Sequence, residues 1–530
     1  MEEALIPSGP VRFTLTHQKQ TDRDDIMSLK RFLSAGAIAL ALPATAAYAD
    51  KANDTAEIVF DKDLDNPDLY YSTARTGLIA GYQVFDTLFY RNDETGDFDG
   101  LLAESYEWTD DVTLVVKLRQ GIKFHNGEDL TADDVVFTFQ EFGGPDGVGA
   151  ARPSFNWIDS IEKTDDFTVV FHAKAPSPAA MIFLAMANYI YPKDYYEEKG
   201  SSGFAAQPIG TGPYMFDKIE PGKGYTLVAN PNYFDGPKAK PKIGTINVRT
   251  VPDVNTQLAE MIGGNADFLW NIPEDQAQKL SASGRANVIN AGAMRVGYIS
   301  MDAAGRTGAD NPFTKKEVRQ AVAHAIDRQG IKQALLSDAN QVIDSACNPV
   351  QFGCETDVTK YDYDPEKSKE LLAAAGYPDG FTTKFYAYRD RPITEAMLNM
   401  LSEVGIKTEL TYMQYAATAE AHGKGEIPIT FLTWGSSSIP DVSNITSYFF
   451  RGQSRDDARD PEVMAWLEEG DSTIDAEARK AAYSKALKKI ADEAYWLPLW
   501  TYSINYALSD ELEFTPTEDE IVRFYDMSWK

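Results

Sequence analysis

The sequence predicts an α/β protein of mixed β-sheets flanked by helices, large enough for two lobes. Three observations carry this. With 530 residues, 43% apolar and 12% aromatic, the chain can bury more than one core. Short β-branched and aromatic runs closed by Gly, Pro and Asn fill the first half, while capped helices alternate with strands in the second. No stretch nears the roughly 18–20 consecutive apolar residues that a spanning helix needs.

The longest apolar run, 32–42, follows Lys30-Arg31 and ends at Ala47-Tyr48-Ala49 before Asp50. A basic start, a short apolar centre and an A-x-A site describe a cleavable secretory signal peptide over 27–49. Met27 stands directly ahead of it, which predicts that translation starts there and that residues 1–26 are not part of the translated protein. Residues 1–49 together carry five basic and five acidic residues, so the mature chain keeps the net charge of −30. That charge argues against nucleic acid and against anionic membrane surfaces. It is compatible with a cationic or zwitterionic ligand, though plain solubility is the simpler account of it. No cysteine follows the cleavage site, so the expectation is an unlipidated protein free in a periplasm or outside the cell.

The two cysteines, Cys347 and Cys354, flank C-N-P-V-Q-F-G-C, in which Pro and Gly let the chain turn back. In an oxidising compartment this predicts a disulfide worth about 2–3 kcal/mol. Two thiols without a nearby histidine do not make a metal site.

Strands are expected at 113–118, 167–172, 225–228 and 246–251. Further on, Thr314 and Glu317 read as a capping box ahead of Val318, Val322 and Ile326, which share a helix face. Asp364-Pro365 reads as an N-cap with proline at the first helical position, and Gly376 closes that helix. A helix over 392–404, stopped by Gly405, leads into a strand at 407–412; 476–491 is a Lys-rich surface helix. Residues 497–508 are β-like again, as if the chain returned to the first lobe.

The stretch LVVKLRQGIKFHNGEDLTADDVVFTF (114–139) carries a histidine, an asparagine and several carboxylates. It reads as architecture: a β-pair over 112–124, a turn at Asn126-Gly127, and a helix capped by Thr131 with Asp134 three residues on. Asp133 and Asp134 sit at the positive end of that helix, where carboxylates are stabilising. His125 has no partner at metal-ligand spacing.

Catalytic signatures are missing. There is no H-E-x-x-H, G-x-S-x-G or Walker A loop. Gly210-Thr211-Gly212 starts like a dinucleotide loop, but Pro213 follows and the third glycine is absent. Ser160 and Lys163 match S-x-x-K, a pattern that chance supplies in a chain this long. The histidines, at 17, 125, 172, 324 and 422, are scattered. An exported hydrolase therefore has no positive support.

Binding features stand out more. Trp434, Gly435, Ser436, Ser437 and Ser438 follow the apolar strand 429–432, and open α/β sheets hold ligands at strand ends. Arg389-Asp390-Arg391-Pro392 sits likewise between a strand and a helix, where an arginine can grip a carboxylate bidentately. The competing readings are a surface ion pair with Asp390 for the arginines and a core aromatic for Trp434.

Several blocks taken together carry a resemblance. They are LLAESYEW (101–108), LRQGIKFHNGEDLTADDVVFTF (118–139), PIGTGPY (208–214), NPNYF (230–234), NPFTKKEVRQAVAHAIDR (311–328), YDPEKSKELLAAAGY (363–377) and WLPLW (496–500). From about residue 56 onward the chain resembles the dipeptide/oligopeptide-type (family 5) periplasmic solute-binding proteins of ABC importers. The resemblance implies a cluster C clamshell: domain I over 50–297 with an extra subdomain near 91–209, domain II over 298–505, and a return to domain I over 506–530. It implies a monomeric, cofactor-free receptor that catalyses nothing and hands its solute to permease subunits in the inner membrane. The solute would be a peptide or peptide-like molecule, with an opine, a polyamine conjugate or an oligosaccharide as alternatives. In dipeptide-binding members an Arg-Pro at a helix start anchors the ligand carboxylate, and Arg391-Pro392 matches it. Those members hold the ligand amine with an aspartate three residues after a Trp. Here that position is Ser437, and the nearest acid is Asp441.

Overall fold

A computed structural model describes residues 51–71, 74–92, 95–144 and 152–530. The segments 1–26 and 27–49 lie outside the described residues. Ten strands form one mixed sheet: β1 Thr55–Phe60, β2 Tyr214–Glu220, β3 Gly224–Ala229, β4 Thr245–Thr250, β5 Phe268–Trp270, β6 Asn287–Met301, β7 Phe381–Ala387, β8 Ile406–Tyr412, β9 Ile429–Trp434 and β10 Trp496–Leu508. Their order is β8-β7-β9-β6-β10-β5-β1-β4-β3-β2. The strands expected at 225–228 and 246–251 are formed as β3 and β4, residue 251 lying just past the end of β4. The expected return over 497–508 is β10, antiparallel to β6 along most of its length and to β5 at its end.

The apolar interior divides where this long pair runs. One core gathers residues from Ala56 to Ala293 and takes in Ile504 to Met527, with Ile439 inserted from the other side. Two more gather residues between Val296 and Tyr502. The backbone thus passes between cores at 294–296 and again near 503. The β6–β10 register shifts between Gly292 and Val296 and again between Gly297 and Tyr298. Such irregularities bend a strand locally.

A separate four-stranded antiparallel sheet combines 103–108, 113–118, 168–173 and 158–165 in that order. The strand 113–118 pairs with 103–108 and 168–173, so the β-pair expected within 112–124 is not formed. Residues 119–124 instead leave the sheet, because both hydrogen-bonding edges of that strand are already taken. The helix after it is as read. In α2 (Ala132–Gly143), after α1 (Arg75–Val84), the Asp134 carboxylate accepts from the Thr131 N–H at 2.8 Å and from its hydroxyl at 3.2 Å.

His125 explains the composition of this stretch. Its Nδ1 accepts from the Gly210 N–H at 3.2 Å, which leaves Nε2 protonated to donate to the Gly212 carbonyl at 3.0 Å. The loop it grips needs its glycines: a Cβ at Gly210 would lie 2.0 Å from the Val84 carbonyl oxygen at the end of α1. Burial, with some help from the Lys238 charge, pushes the imidazole down to about 4. The unfolded chain, with a histidine near 6.5, therefore binds more protons below that pH, and stability falls as pH drops from about 6.5 toward 4. The expected loss from this residue is about 2 kcal/mol by pH 5. Urea midpoints at pH 7 and pH 5 should fall less steeply in His125→Gln than in the parent; equal slopes would refute the assignment.

In the second half, α3 spans Lys316–Ala325, α4 Pro365–Ala374, α5 Arg391–Glu403, α6 Ser443–Phe450 and α7 Ala476–Asp492. Val318, Val322 and Ile326 are buried as expected. The capping box at Thr314 and Glu317 is not formed. Thr314 lies in a short 3-10 turn and its hydroxyl donates to the Asn311 carbonyl, so α3 begins two residues later, after Lys315. Asp364 does cap α4, accepting from the Lys367 N–H at 2.9 Å. Cys347 and Cys354 are disulfide-bonded.

Candidate functional site

The strands β7, β8 and β9 are parallel, so their C-terminal ends open on one side of the sheet. From those ends project Tyr388, Arg389 and Asp390 after β7 and the Gly435–Ser438 loop after β9. β6 brings Arg295 to the same edge where it passes between the cores, and β10 brings Tyr502. Arg75, the first residue of α1, and Asp519 and Glu520 near the C-terminus join them there.

The Thr433 hydroxyl marks the centre. It lies 2.7 Å from the Tyr388 Oη and accepts from the Nη1 atoms of Arg295 and Arg389, each at 3.4 Å. Arg295 grips Glu520 with two nitrogens, at 3.2 and 3.1 Å, and Arg75 adds a third contact at 3.0 Å. Burial disfavours the Glu520 carboxylate, but Arg295 and Arg75 outweigh it and hold its pKa below the usual range. Arg389 pairs with Asp390 at 2.9 Å and lies over the Tyr502 ring at 4.6 Å. Burial opposes the Arg389 charge; Tyr502 and Asp390 more than offset it and raise the pKa. Three guanidinium groups thus share two carboxylates, Glu520 and Asp390, and the cluster keeps a positive excess inside a strongly acidic protein. Gly435 permits this crowding: a Cβ there would lie 2.9 Å from Arg295 and 3.2 Å from Arg75.

The serine loop is strained. Ser436, Ser437 and Ser438 all have left-handed backbones, with φ of 49°, 48° and 67°. That conformation costs a non-glycine residue roughly 1–2 kcal/mol, so surrounding contacts must hold it. Gln351, inside the disulfide loop, donates to the Ser436 hydroxyl at 2.9 Å and to the Ile439 carbonyl at 3.2 Å. Ser438 donates to the Asp519 carbonyl at 2.6 Å and accepts from Arg75. The disulfide therefore fixes a segment that braces this loop.

The sequence-derived candidates fall in different places. Arg389, Gly435, Ser436 and Ser438 meet in the cluster. Ser437 is exposed. Trp434 is half-buried and stacks on Tyr448 at 4.7 Å, with its indole N–H buried and without a protein partner. Arg391 is exposed at the start of α5, pairing with Glu395 one turn on at 2.8 Å and lying over the Tyr412 ring. Asp441 is buried, and there Arg479 donates to it at 3.1 Å and Ser443 at 2.6 Å. Arg75, Arg295, Tyr388 and Glu520 were not picked out from sequence, since each is a lone residue in an unremarkable setting. Among the described residues no group of acids, histidines or cysteines is placed to hold a metal ion, and no helix is long and apolar enough to cross a membrane. An open hollow of about 530 Å³, lined among others by Asp357, Lys488 and Asp492, shares no residue with the cluster.

The model of the family described as bacterial extracellular solute-binding proteins, family 5 Middle, matches residues 97–456. The chain belongs to this family. Relatives of this solute-binding protein include heme-binding protein A of Haemophilus influenzae, 26% identical over 91% of this chain and 95% of that one. The glutathione-binding protein GsiB of Pectobacterium atrosepticum is 30% identical over 80% of this chain and 85% of that one. In fold, the solute-binding protein is similar to the dipeptide binding protein of a Pseudoalteromonas strain solved with Met-Leu. The TM-score is 0.78 at 21% identity, over 90% of this chain and 100% of that one. The architecture is the two-lobed one of periplasmic binding proteins.

Proposed function

We propose that this solute-binding protein captures an acidic, peptide-like solute between its lobes and delivers it to the permease of an ABC importer. The lobes in this reading are 50–297 with 506–530, and 298–505. The single observation that carries the solute class is the positive excess of Arg75, Arg295 and Arg389 over Glu520 and Asp390 on the strand-end edge. A carboxylate is the complement of two converging guanidinium groups in a partly dry site. The glutathione-binding and dipeptide-bound relatives are consistent with it. An opine, an amino-acid conjugate rich in carboxylates, would use the same groups, whereas a neutral oligosaccharide would leave them unpaired. The signal-like segment supports export to the periplasm.

Calorimetric titration with glutathione, acidic and neutral dipeptides and an opine tests the class: saturable binding of acidic members only is expected, and binding of a neutral sugar alone would overturn it. Ser438, Arg75 and Asp519 already join the lobes, so the described arrangement is one with the lobes in contact. Without ligand the lobes should spend more time apart. Solution scattering is expected to give a larger radius of gyration for the ligand-free protein than at saturation. Identical profiles would count against closure.

A further inference from the structure

Beyond the three arginines of the first cluster, one more guanidinium has an unusual setting. Arg455 is half-buried, with its guanidinium carbon 5.9 Å from the Tyr415 ring centre and 5.5 Å from that of Tyr448. Its Nη1 donates to the Tyr415 Oη at 3.3 Å. None of the carboxylates among the described residues forms an ion pair with it, in a chain with 80 acidic residues to 50 Lys and Arg. The adjacent acids are committed elsewhere. Asp457 takes Arg306 at 2.9 Å and His422 at 2.6 Å, and Asp456 accepts backbone N–H groups of Gly452, Ala458 and Arg459. A guanidinium has five N–H donors, and the Tyr415 oxygen fills one. The two rings hold it in place by cation–π attraction without neutralising it.

Arg455 is also continuous with the strand-end site. The Tyr415 ring lies 5.2 Å from that of Tyr388, whose hydroxyl meets Thr433 beside Arg295 and Arg389. Tyr415 is 40% exposed, so this flank faces solvent. Tyr448, which lies under Arg455, also stacks on Trp434, the residue that follows Thr433 in β9.

We propose that Arg455 is a second anion subsite of the same cleft, so that the solute carries two anionic groups, one on Arg295 and Arg389 and the other on Arg455. This rests on the reading of the first cluster as a carboxylate site. The test uses matched probes that differ by one charge: Ala-Glu against Ala-Gln, and glutathione against its glycine amide. Each is titrated calorimetrically into the parent, Arg455→Gln and Arg389→Ala, with urea midpoints confirming that the variants fold.

The parent is expected to prefer the two-carboxylate member of at least one pair by about 30-fold or more. Arg455→Gln should erase that preference while leaving the one-carboxylate probe within about twofold of the parent, because that probe never reaches Arg455. Arg389→Ala should weaken both. Equal binding of both members by the parent, or an undiminished preference in Arg455→Gln, would overturn the second subsite while leaving the first intact. No binding of any probe by the parent would overturn both.

Discussion

Replacing Arg389 by alanine should weaken the binding of an acidic solute by about 30-fold to several thousand-fold. The side chain sits at the edge where β7 ends, shares the Thr433 hydroxyl with Arg295, and pairs with Asp390 through its Nε. Losing the partner of a charge in a closed, largely dry cleft costs about 2–5 kcal/mol, which sets that range. Arg391→Ala is the control. Its exposed pair with Glu395 is a one-turn helix contact worth about 0.3–0.5 kcal/mol, so little change in affinity or stability is expected. Titration of both variants with the best-binding acidic probe separates the two arginines, and an intact affinity in Arg389→Ala together with a collapse in Arg391→Ala would reverse the assignment.

The second large effect concerns stability. Arg479→Ala should destabilise the protein by about 3–5 kcal/mol, because it leaves the buried Asp441 carboxylate without its charge partner. The guanidinium donates to both Asp441 oxygens, at 3.1 and 3.2 Å, to the Gly470 carbonyl at 3.0 Å and to the Tyr483 Oη at 3.0 Å. It also lies over the Phe352 ring at 4.8 Å, within the disulfide loop. The double variant Asp441→Asn, Arg479→Met removes both charges and should recover a large part of the loss. Urea unfolding of the single and double variants is the measurement; equal losses would mean that packing, rather than the unpaired carboxylate, dominates. Asp441→Asn should act on ligand affinity only through the loop that Asp441 anchors, and a cationic solute bound directly by Asp441 would show instead as a selective loss of that solute.

How much was legible follows from the range of each interaction. The capped helices α2 and α4 were readable because Thr131 with Asp134, and Asp364 with Pro365, act within one turn of chain. Thr314 with Glu317 has the same spacing and failed, since Asn311 three residues earlier competes for the Thr314 hydroxyl and shortens the helix. The stretch around His125 was readable as architecture, yet its partner loop at Gly210–Gly212 lies more than 80 residues away and could not be paired with it from the sequence.

By itself the sequence determined the kind of protein: an α/β chain of mixed strands and helices, rich in acid, with a signal-like front, a short disulfide loop and the family blocks. Those features are local or compositional, set by the period of apolar residues, by turn chemistry and by nearest-neighbour caps. Only the tertiary structure decided which charges meet. Arg75, Arg295, Arg389 and Glu520 are separated by up to several hundred residues, and they converge because β6 and β10 carry the chain twice between the cores. From the sequence Arg391 was the leading anchor for a ligand carboxylate and Asp441 merely the acid nearest the Ser437 position; the fold pairs the first with Glu395 on the surface and buries the second against Arg479. Whether a charge remains for a solute depends on what the fold has already placed beside it.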